Sequence, residues 1–588
     1  MKNFYNDIFN PEYLIKYGYF SYKKNRDKDT DEESYFSTET LYRMFNLNKF
    51  SEVAETLVKF PYDDETATEP IYFNIPKSGV TRRQYKFPNL YSYVNLVLFM
   101  HDNKKEFITV FLENRFSTSK YFDSPKYKYS VTEEIKSKLL FSGRKLLHLD
   151  LSNFYHTLYT HSIPWMLMGK SSAKANQNTG FANELDRLIE LCQYRETHGI
   201  PTGNIASRII AELFMCYFDK NLEDKGFKYA RYVDDFTFSY NMDSEKEEFM
   251  EQVNLLCREY NLYLNSEKTI IEEFPQSNTR SKSEIFNFFE SRNFLEKKSE
   301  KQKDLIKGYI DLCVTEESKG NKGALKTIFS GIQRILVYKG KLSADKINEL
   351  LLEEDSRTRI SLLETIIDVS IKQPELTNRF MDFFETLFTT TKLKKTAKRR
   401  IKKYFKENKT SIISKLSYCK KNNFSQELYQ ILLYIVQFDV NTGGILKKKD
   451  ILLMMDEQVD DFSLCLLVII YLKRKLSIDK LLNSIDTLLK NTSNSSSGQS
   501  RFSGKLWFLR YFIYYLIQVK IIDKKDVNHY CKSQGIPLAK KKGYKSELNS
   551  DYILTQGNQL KINKFYSSLL SKEIALVDCG KNKDFKYF

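Results

Sequence analysis

Lys228–Tyr240 reads KYARYVDDFTFSY, two aromatic-rich runs that meet at a pair of adjacent acids. In the second run Phe236, Phe238 and Tyr240 alternate with Thr237 and Ser239, the period of a half-buried strand. The run YARYV reads as its partner, which leaves Asp234 and Asp235 at the tip of a hairpin. Tight hairpin turns favour Asn-Gly or Asp-Gly, because glycine tolerates positive φ. This turn has no glycine, and two like charges sit side by side. Acids are common in turns, so the segment alone leaves a solvated turn and a metal site equally open.

Working outward, LLHLDLSNFY places Asp150 near the end of an apolar strand. A charge there is costly unless a cation awaits it. Between the two acidic segments lies HGIPTGNIASRIIAELFM, a glycine-containing turn that leads into a helix. The order strand-acid, turn-helix, acid-pair hairpin can bring carboxylates from adjacent strands to one place. Such a set can hold two divalent ions and serve an in-line phosphoryl displacement. Hard oxygen ligands beside substrate phosphates suit Mg2+, or Mn2+ in its place.

Composition bounds the rest. The 588 residues exceed one ordinary domain, and 41% hydrophobic content suffices for large cores. The net charge of +17 favours a polyanionic partner, although charge alone is also compatible with mere solubility. The eight cysteines lie far apart, with neither zinc nor disulfide spacing, as in a reducing compartment. The N-terminus carries Asp7 and Glu12 where a signal peptide needs an apolar core. LCLLVIIYL is too short to span a bilayer, and WFLRYFIYYLI is interrupted by Arg510. A cytoplasmic protein without a membrane partner is expected.

Nine of the eleven prolines precede residue 300, so the second half is free to be almost entirely helical. Runs such as NELLLEEDSRTRISLLETIIDVSI, QELYQILLYIVQF and DDFSLCLLVIIYLKRKL carry apolar residues at three-to-four spacing, as in stacked helical hairpins. The first half mixes strands and helices. The boundary is placed within 291–304, giving domains 1–295 and 296–588. Polar stretches at about 23–40 and at 490–500 are expected to be mobile.

These motifs together resemble the palm of reverse transcriptases: Asp150 in the first motif, Pro201-Thr202-Gly203 in the second, Tyr232-Val233-Asp234-Asp235 in the third. Upstream, NIPKSGVTRRQYKFPNLYSYVNL is similar to the fingers blocks of that family, with Lys77 and Arg83 at its triphosphate-binding positions. The resemblance implies Asp150, Asp234 and Asp235 as catalytic metal ligands, joined by the backbone carbonyl of Leu151. It implies Tyr155 as a steric gate favouring dNTPs, Gly203 in the nucleotide site, and Lys268 as a proton donor to pyrophosphate. An ordinary strand-end aromatic and a surface lysine are the plain alternatives for the last two side chains. Thr202 stands where the family usually has Gln, and Glu212 where many relatives have Asn.

No clear thumb block follows Lys268, and the pattern resembles the bacterial abortive-infection reverse-transcriptase-like polymerases over nearly the whole chain. That resemblance implies an α+β reverse-transcriptase-like fingers and palm domain followed by an all-α HEAT-like helical-repeat domain. It implies template-independent DNA synthesis primed on a tyrosine of the protein, with the single-stranded DNA product left covalently attached. It also implies a homo-oligomer, a hexamer by resemblance, acting against bacteriophage, with a phage-encoded trigger. Tyr35, in the polar run DEESYFSTET, is the expected priming nucleophile, with Tyr42 and Tyr22 as rivals. A flexible tether of about 20 residues spans roughly 25 Å, enough to reach a site in its own domain. The basic runs 392–409 and 539–545 are candidate DNA contacts, with a solvated face or loop as the alternative. A templated RNA-dependent DNA polymerase and a non-catalytic nucleic-acid-binding scaffold are the competing readings.

Overall fold

The structure, a computed structural model, describes residues 2–578 except 17, 20–21, 27–32, 38–43, 45–52, 79–80, 123–128, 178, 275–279, 441–443, 493–499, 540–542 and 556–559. β1 (Tyr22–Arg26) and β2 (Glu33–Ser37) pair antiparallel within the stretch expected to be mobile. β-Forming Tyr35 and Phe36 interrupt the polar run there. β3 (Ile71–Ser78) and β4 (Thr81–Phe87) form a second hairpin. The central sheet is four-stranded and antiparallel, with β5 (Lys145–Asp150), β6 (Tyr229–Tyr232), β7 (Asp235–Tyr240) and β8 (Ile270–Glu273) in the order β6-β7-β5-β8.

Helices cover the sheet where its sequence is apolar. Phe238 of β7 stacks on Phe249 of the helix Asp243–Glu259, ring centroids 4.2 Å apart. Phe236 meets Phe218 of the helix Ile205–Glu223 at 5.8 Å. Asn204 caps that second helix by accepting from the Ser207 amide at 2.8 Å, which fixes where the Pro-Thr-Gly turn ends.

From Ser299 onward the described residues are mostly helical, apart from the short strand pair Leu538–Ala539 and Gly543–Tyr544: Ser299–Ser318 packs on Ala324–Gln333, and Ser425–Gln437 on Asp461–Lys473. The run quoted above from Asn348 is broken rather than continuous. One helical segment ends at Leu352, and the next starts at Leu362 after Ser361 and Glu364 close a capping box. Ser425–Gln437 is buried all round, as is the apolar run of Asp461–Lys473. Arg510, inside the other apolar run, is buried and answered by Glu547 at 2.5 Å. Among the described residues no helix is long and apolar enough to cross a membrane. The seven cysteines among the described residues are buried, and none of them is in a disulfide.

The helical half folds back onto the first. Phe73 of β3 and Phe87 of β4 both pack against Phe462, at 5.8 and 5.7 Å. Phe565 meets Tyr91 at 5.4 Å, and Tyr566 donates to Asn89 Oδ1 at 2.6 Å. One hydrophobic core therefore runs through both halves.

Candidate active site

The antiparallel register sets Asp150, the last residue of β5, directly opposite Asp235, the first of β7. Tyr232 and Asp235 also pair, so only Val233 and Asp234 make the turn from β6 to β7. The turn is closed without glycine by placing Val233 at φ +56°. That region is costly for a β-branched residue, by about 1–2 kcal/mol. Its surroundings hold it there. The Val233 amide donates to Ser119 Oγ at 2.9 Å, and its carbonyl accepts from Arg231 Nη1 at 2.8 Å.

Arg231 itself is fully buried. Its guanidinium meets Asp219 at 2.7 Å and Glu212 at 2.9 Å, both on the helix Ile205–Glu223. Ser119 Oγ donates to Glu212 Oε2 at 2.7 Å, and Tyr229 OH to Asp219 Oδ1 at 2.7 Å. Burial would raise the Glu212 carboxyl, but Arg231 and the hydroxyl donors hold it below the ordinary range. The departure at Glu212 thus has a local reason: a carboxylate is needed to answer a buried arginine.

The three acids are brought together. One carboxylate oxygen from each of Asp150, Asp234 and Asp235 lies within 4.8 Å of the others. Burial, reinforced by the charge of Asp150, pushes Asp234 up to about 6. Burial, a hydrogen bond with Asp150 and the charge of Asp234 push Asp235 up to about 7. Asp150 accepts from Lys268 Nζ at 2.8 Å and from Asn265 Nδ2 at 3.0 Å. Crowded carboxylates with raised affinity for protons are a donor set that fits a divalent cation. Leu151 lines the same space, its amide donating to the Asp234 carbonyl at 3.2 Å.

These residues bound a cavity of about 450 Å³. Lys77, Arg83, Tyr155, Gly203 and Lys268 line it, together with Arg82, Tyr85, His156 and Arg208. Arg208 comes from the helix Ile205–Glu223 and Lys268 from the turn Ser266–Lys268, whereas Lys77, Arg82 and Arg83 come from the β3–β4 hairpin. Their charge is felt at His156, whose imidazole is held below its usual range by burial and by Arg83, Lys86 and Lys77. Lys77 Nζ reaches Asn153 Oδ1 at 3.5 Å. Gly203 has φ +93°, and a Cβ there would stand 2.7 Å from the Phe87 ring, so the turn needs glycine twice over. Thr202 Oγ1 donates to the Gln84 carbonyl at 3.0 Å, tying this turn to β4.

Sequence reasoning missed several residues. Arg82 forks onto Glu427 of the helix Ser425–Gln437, at 2.8 and 2.5 Å, and its guanidinium lies 4.0 Å over the Phe424 ring. No local signal links Arg82 to a residue 345 positions away. Arg231 did leave a signal, a charge inside the strand run YARY. Tyr35 takes its backbone place in β2 opposite Lys24. The side chains of Tyr35 and Tyr22, and Tyr42 altogether, lie outside the described residues.

Residues 102–295 match the family model described as reverse transcriptase (RNA-dependent DNA polymerase). A reverse transcriptase domain is present. The matched span contains all three acids, whereas the β3–β4 hairpin precedes it and the helical half follows it. Solved structures similar to the chain include apo telomerase from Candida tropicalis, 12% identical, with a TM-score of 0.28, covering 67% of this chain and 74% of that one. Telomerase from Candida albicans with a fragment of telomeric RNA is 13% identical, with a TM-score of 0.24, covering 67% and 72%. No curated protein matches the chain. The reverse transcriptase domain makes this a nucleotidyltransferase of the polymerase type, with nucleotides and nucleic acid as its partners.

Proposed function

We propose that the chain is a DNA polymerase that starts on its own tyrosine and adds dNTPs without a template, in abortive-infection defence against bacteriophage. The observation that carries the polymerase reading is one cavity with three clustered carboxylates and, from a separate hairpin, Lys77 and Arg83. Asp150, Asp234 and Asp235 would hold Mg2+ or Mn2+, with Leu151 contributing its carbonyl. Bound there, the ions supply charge neutralisation at the phosphorus and a more acidic attacking hydroxyl. Lys77 and Arg83 face the triphosphate, where guanidinium and ammonium donors offset its charge. Tyr155 stands in the same cavity as the gate against a ribose 2′-hydroxyl, and Lys268 stands beside Asp150 as the proton source for pyrophosphate.

Protein priming, independence from template and phage defence rest on the resemblance of the motifs and of the whole chain to the abortive-infection polymerases. The same resemblance supplies the HEAT-like character of the helical half, the homo-oligomer and the phage trigger. Tyr35 is the proposed nucleophile. One denaturing gel tests this reading. Purified protein with Mg2+ and labelled dNTPs alone should give a protein–DNA adduct that survives denaturation. Asp234→Asn should abolish the label, and Tyr35→Phe should prevent initiation while leaving the cavity intact. Absence of adduct from the unaltered chain defeats the proposal. The description of the matched family as RNA-dependent favours one second reading, a templated polymerase. It requires that the product sequence follow an added RNA.

A further inference from the structure

The helix Thr391–Glu407 sorts its many cations by face. Leu393, Ala397, Ile401 and Phe405 are buried on the inner side. The flanking cations are matched with acids: Lys398 with Asp439 at 3.2 Å, Lys403 with Glu354 at 2.8 Å and Glu364 at 3.5 Å, and Arg400 with Glu354. At the start Lys392 stands 3.8 Å from Asp345, and at the end Glu407 stands 3.9 Å from Lys403. Lys395, Arg399, Lys402 and Lys406 are different. All four are exposed, and among the described residues none has an acid within ion-pair distance.

Their spacing is regular. At 100° per residue the four lie within an arc of roughly 60°. At 1.5 Å per residue they extend over roughly 17 Å. A merely solvated face intersperses both signs, since like charges three or four positions apart oppose the helix. A row of one sign is complementary to a row of phosphates.

The next helix narrows the partner. Lys409–Lys421 exposes Tyr418, 58% accessible, whose ring meets Phe424 at 5.5 Å. Phe424 in turn lies beneath Arg82, a wall of the active-site cavity. An exposed aromatic on the helix that follows a cationic row suits unpaired bases, because a duplex hides the base faces that would stack.

We infer that the outer face of Thr391–Glu407, with Tyr418, is a track for single-stranded DNA. Lys395, Arg399, Lys402 and Lys406 lie on its phosphates and Tyr418 stacks on a base. The source of that strand rests on the polymerase reading; its binding does not, because binding needs no synthesis.

The test is equilibrium binding of a labelled oligothymidine to the full chain, without dNTPs, over a salt series. Each phosphate contact on a single strand contributes about 0.7 to the logarithmic salt slope. Replacing all four cations (K395Q, R399Q, K402Q, K406Q) should make the slope shallower by about 3. Between about 50 and 200 mM salt, the unaltered chain should then lose roughly 50-fold more affinity than the variant. Tyr418→Ala should weaken binding about tenfold and leave the slope unchanged. An unchanged slope in the fourfold variant overturns the track, as does duplex DNA binding equally tightly through the same residues. If the fourfold variant does not fold, K402Q alone decides, with an expected fall of about 0.7 in slope. Adducts with a failed slope test remove only the track, and binding without adducts removes only the polymerase reading.

Discussion

Arg231 donates to the carbonyl of Val233 at 2.8 Å, so a fully buried guanidinium on β6 clamps the turn that carries Asp234. The clamp is anchored in turn by Glu212 and Asp219, which need the arginine as much as the turn does. The acid pair is thus positioned by a network that touches neither nucleotide nor metal.

Removing this anchor should be expensive and specific. Arg231→Met leaves two buried carboxylates without their arginine and is expected to destabilise the fold by about 3–5 kcal/mol, read as a lowered denaturation midpoint. Ser119→Ala is milder, because it withdraws one acceptor from the Val233 amide and one donor from Glu212. It should cost about 1–3 kcal/mol and reduce kcat while leaving KM for dNTP within about twofold. An equal rise in KM would contradict a role confined to the turn.

Acid and metal should compete at the cavity. Asp234 and Asp235 are raised to about 6 and about 7, so below these values protons occupy the sites a cation needs. Mg2+ affinity, followed by titration calorimetry, should climb between about pH 5 and 8 and then level off. The stability effect has the opposite sign without metal. A raised carboxylate contributes fully below its unfolded value near 4 and loses that contribution as pH rises through 6 to 7. Metal-free protein should therefore melt lower at neutral than at mildly acidic pH, and Mg2+ should restore the difference. A flat profile in both states would contradict the clustering of these acids.

The β3–β4 hairpin should answer to a distant helix. Glu427 holds Arg82 from the helical half, and its loss removes a charge-assisted fork worth about 1.5–3 kcal/mol. Glu427→Gln is expected to raise KM for dNTP about tenfold with kcat nearly unchanged. Hydrogen exchange over 71–87 should quicken in the same variant, a readout that does not depend on activity.

Gly203→Ala meets two penalties at once, a left-handed φ and the Phe87 ring. It should lower stability by about 1–3 kcal/mol and impair nucleotide binding more than metal binding. Thr202→Val tests the neighbouring strap to β4, with a smaller rise in KM expected.

Much of this site was legible in the sequence because its signals are local. Period-two alternation fixed Phe236, Phe238 and Tyr240 on one face, and an acid at the end of an apolar strand pointed to a cation. The register that sets Asp150 against Asp235, and so takes Asp235 out of the turn into β7, was not legible, because alternation fixes a face and not a pairing. The two adjacent arginines of β4 were harder, since neighbours in a strand take opposite faces. Arg83 was legible from its motif, but Arg82 only from its distant partner. The buried helices were legible as helices and not as neighbours of β3, because an all-apolar surface carries no mark of which element covers it. The break at 353–361 was missed although EEDSRTR, residues 353–359, carries no apolar residue, a gap too long for one amphipathic helix.

The aromatic seam of Phe73, Phe87 and Phe462 makes the two halves thermodynamically inseparable. A chain cut after residue 295 would bare that seam to water, so the polymerase half is not a portable module. Evolution faces the same constraint: a helical half can be exchanged among relatives only if the hairpin residues that meet it change in step.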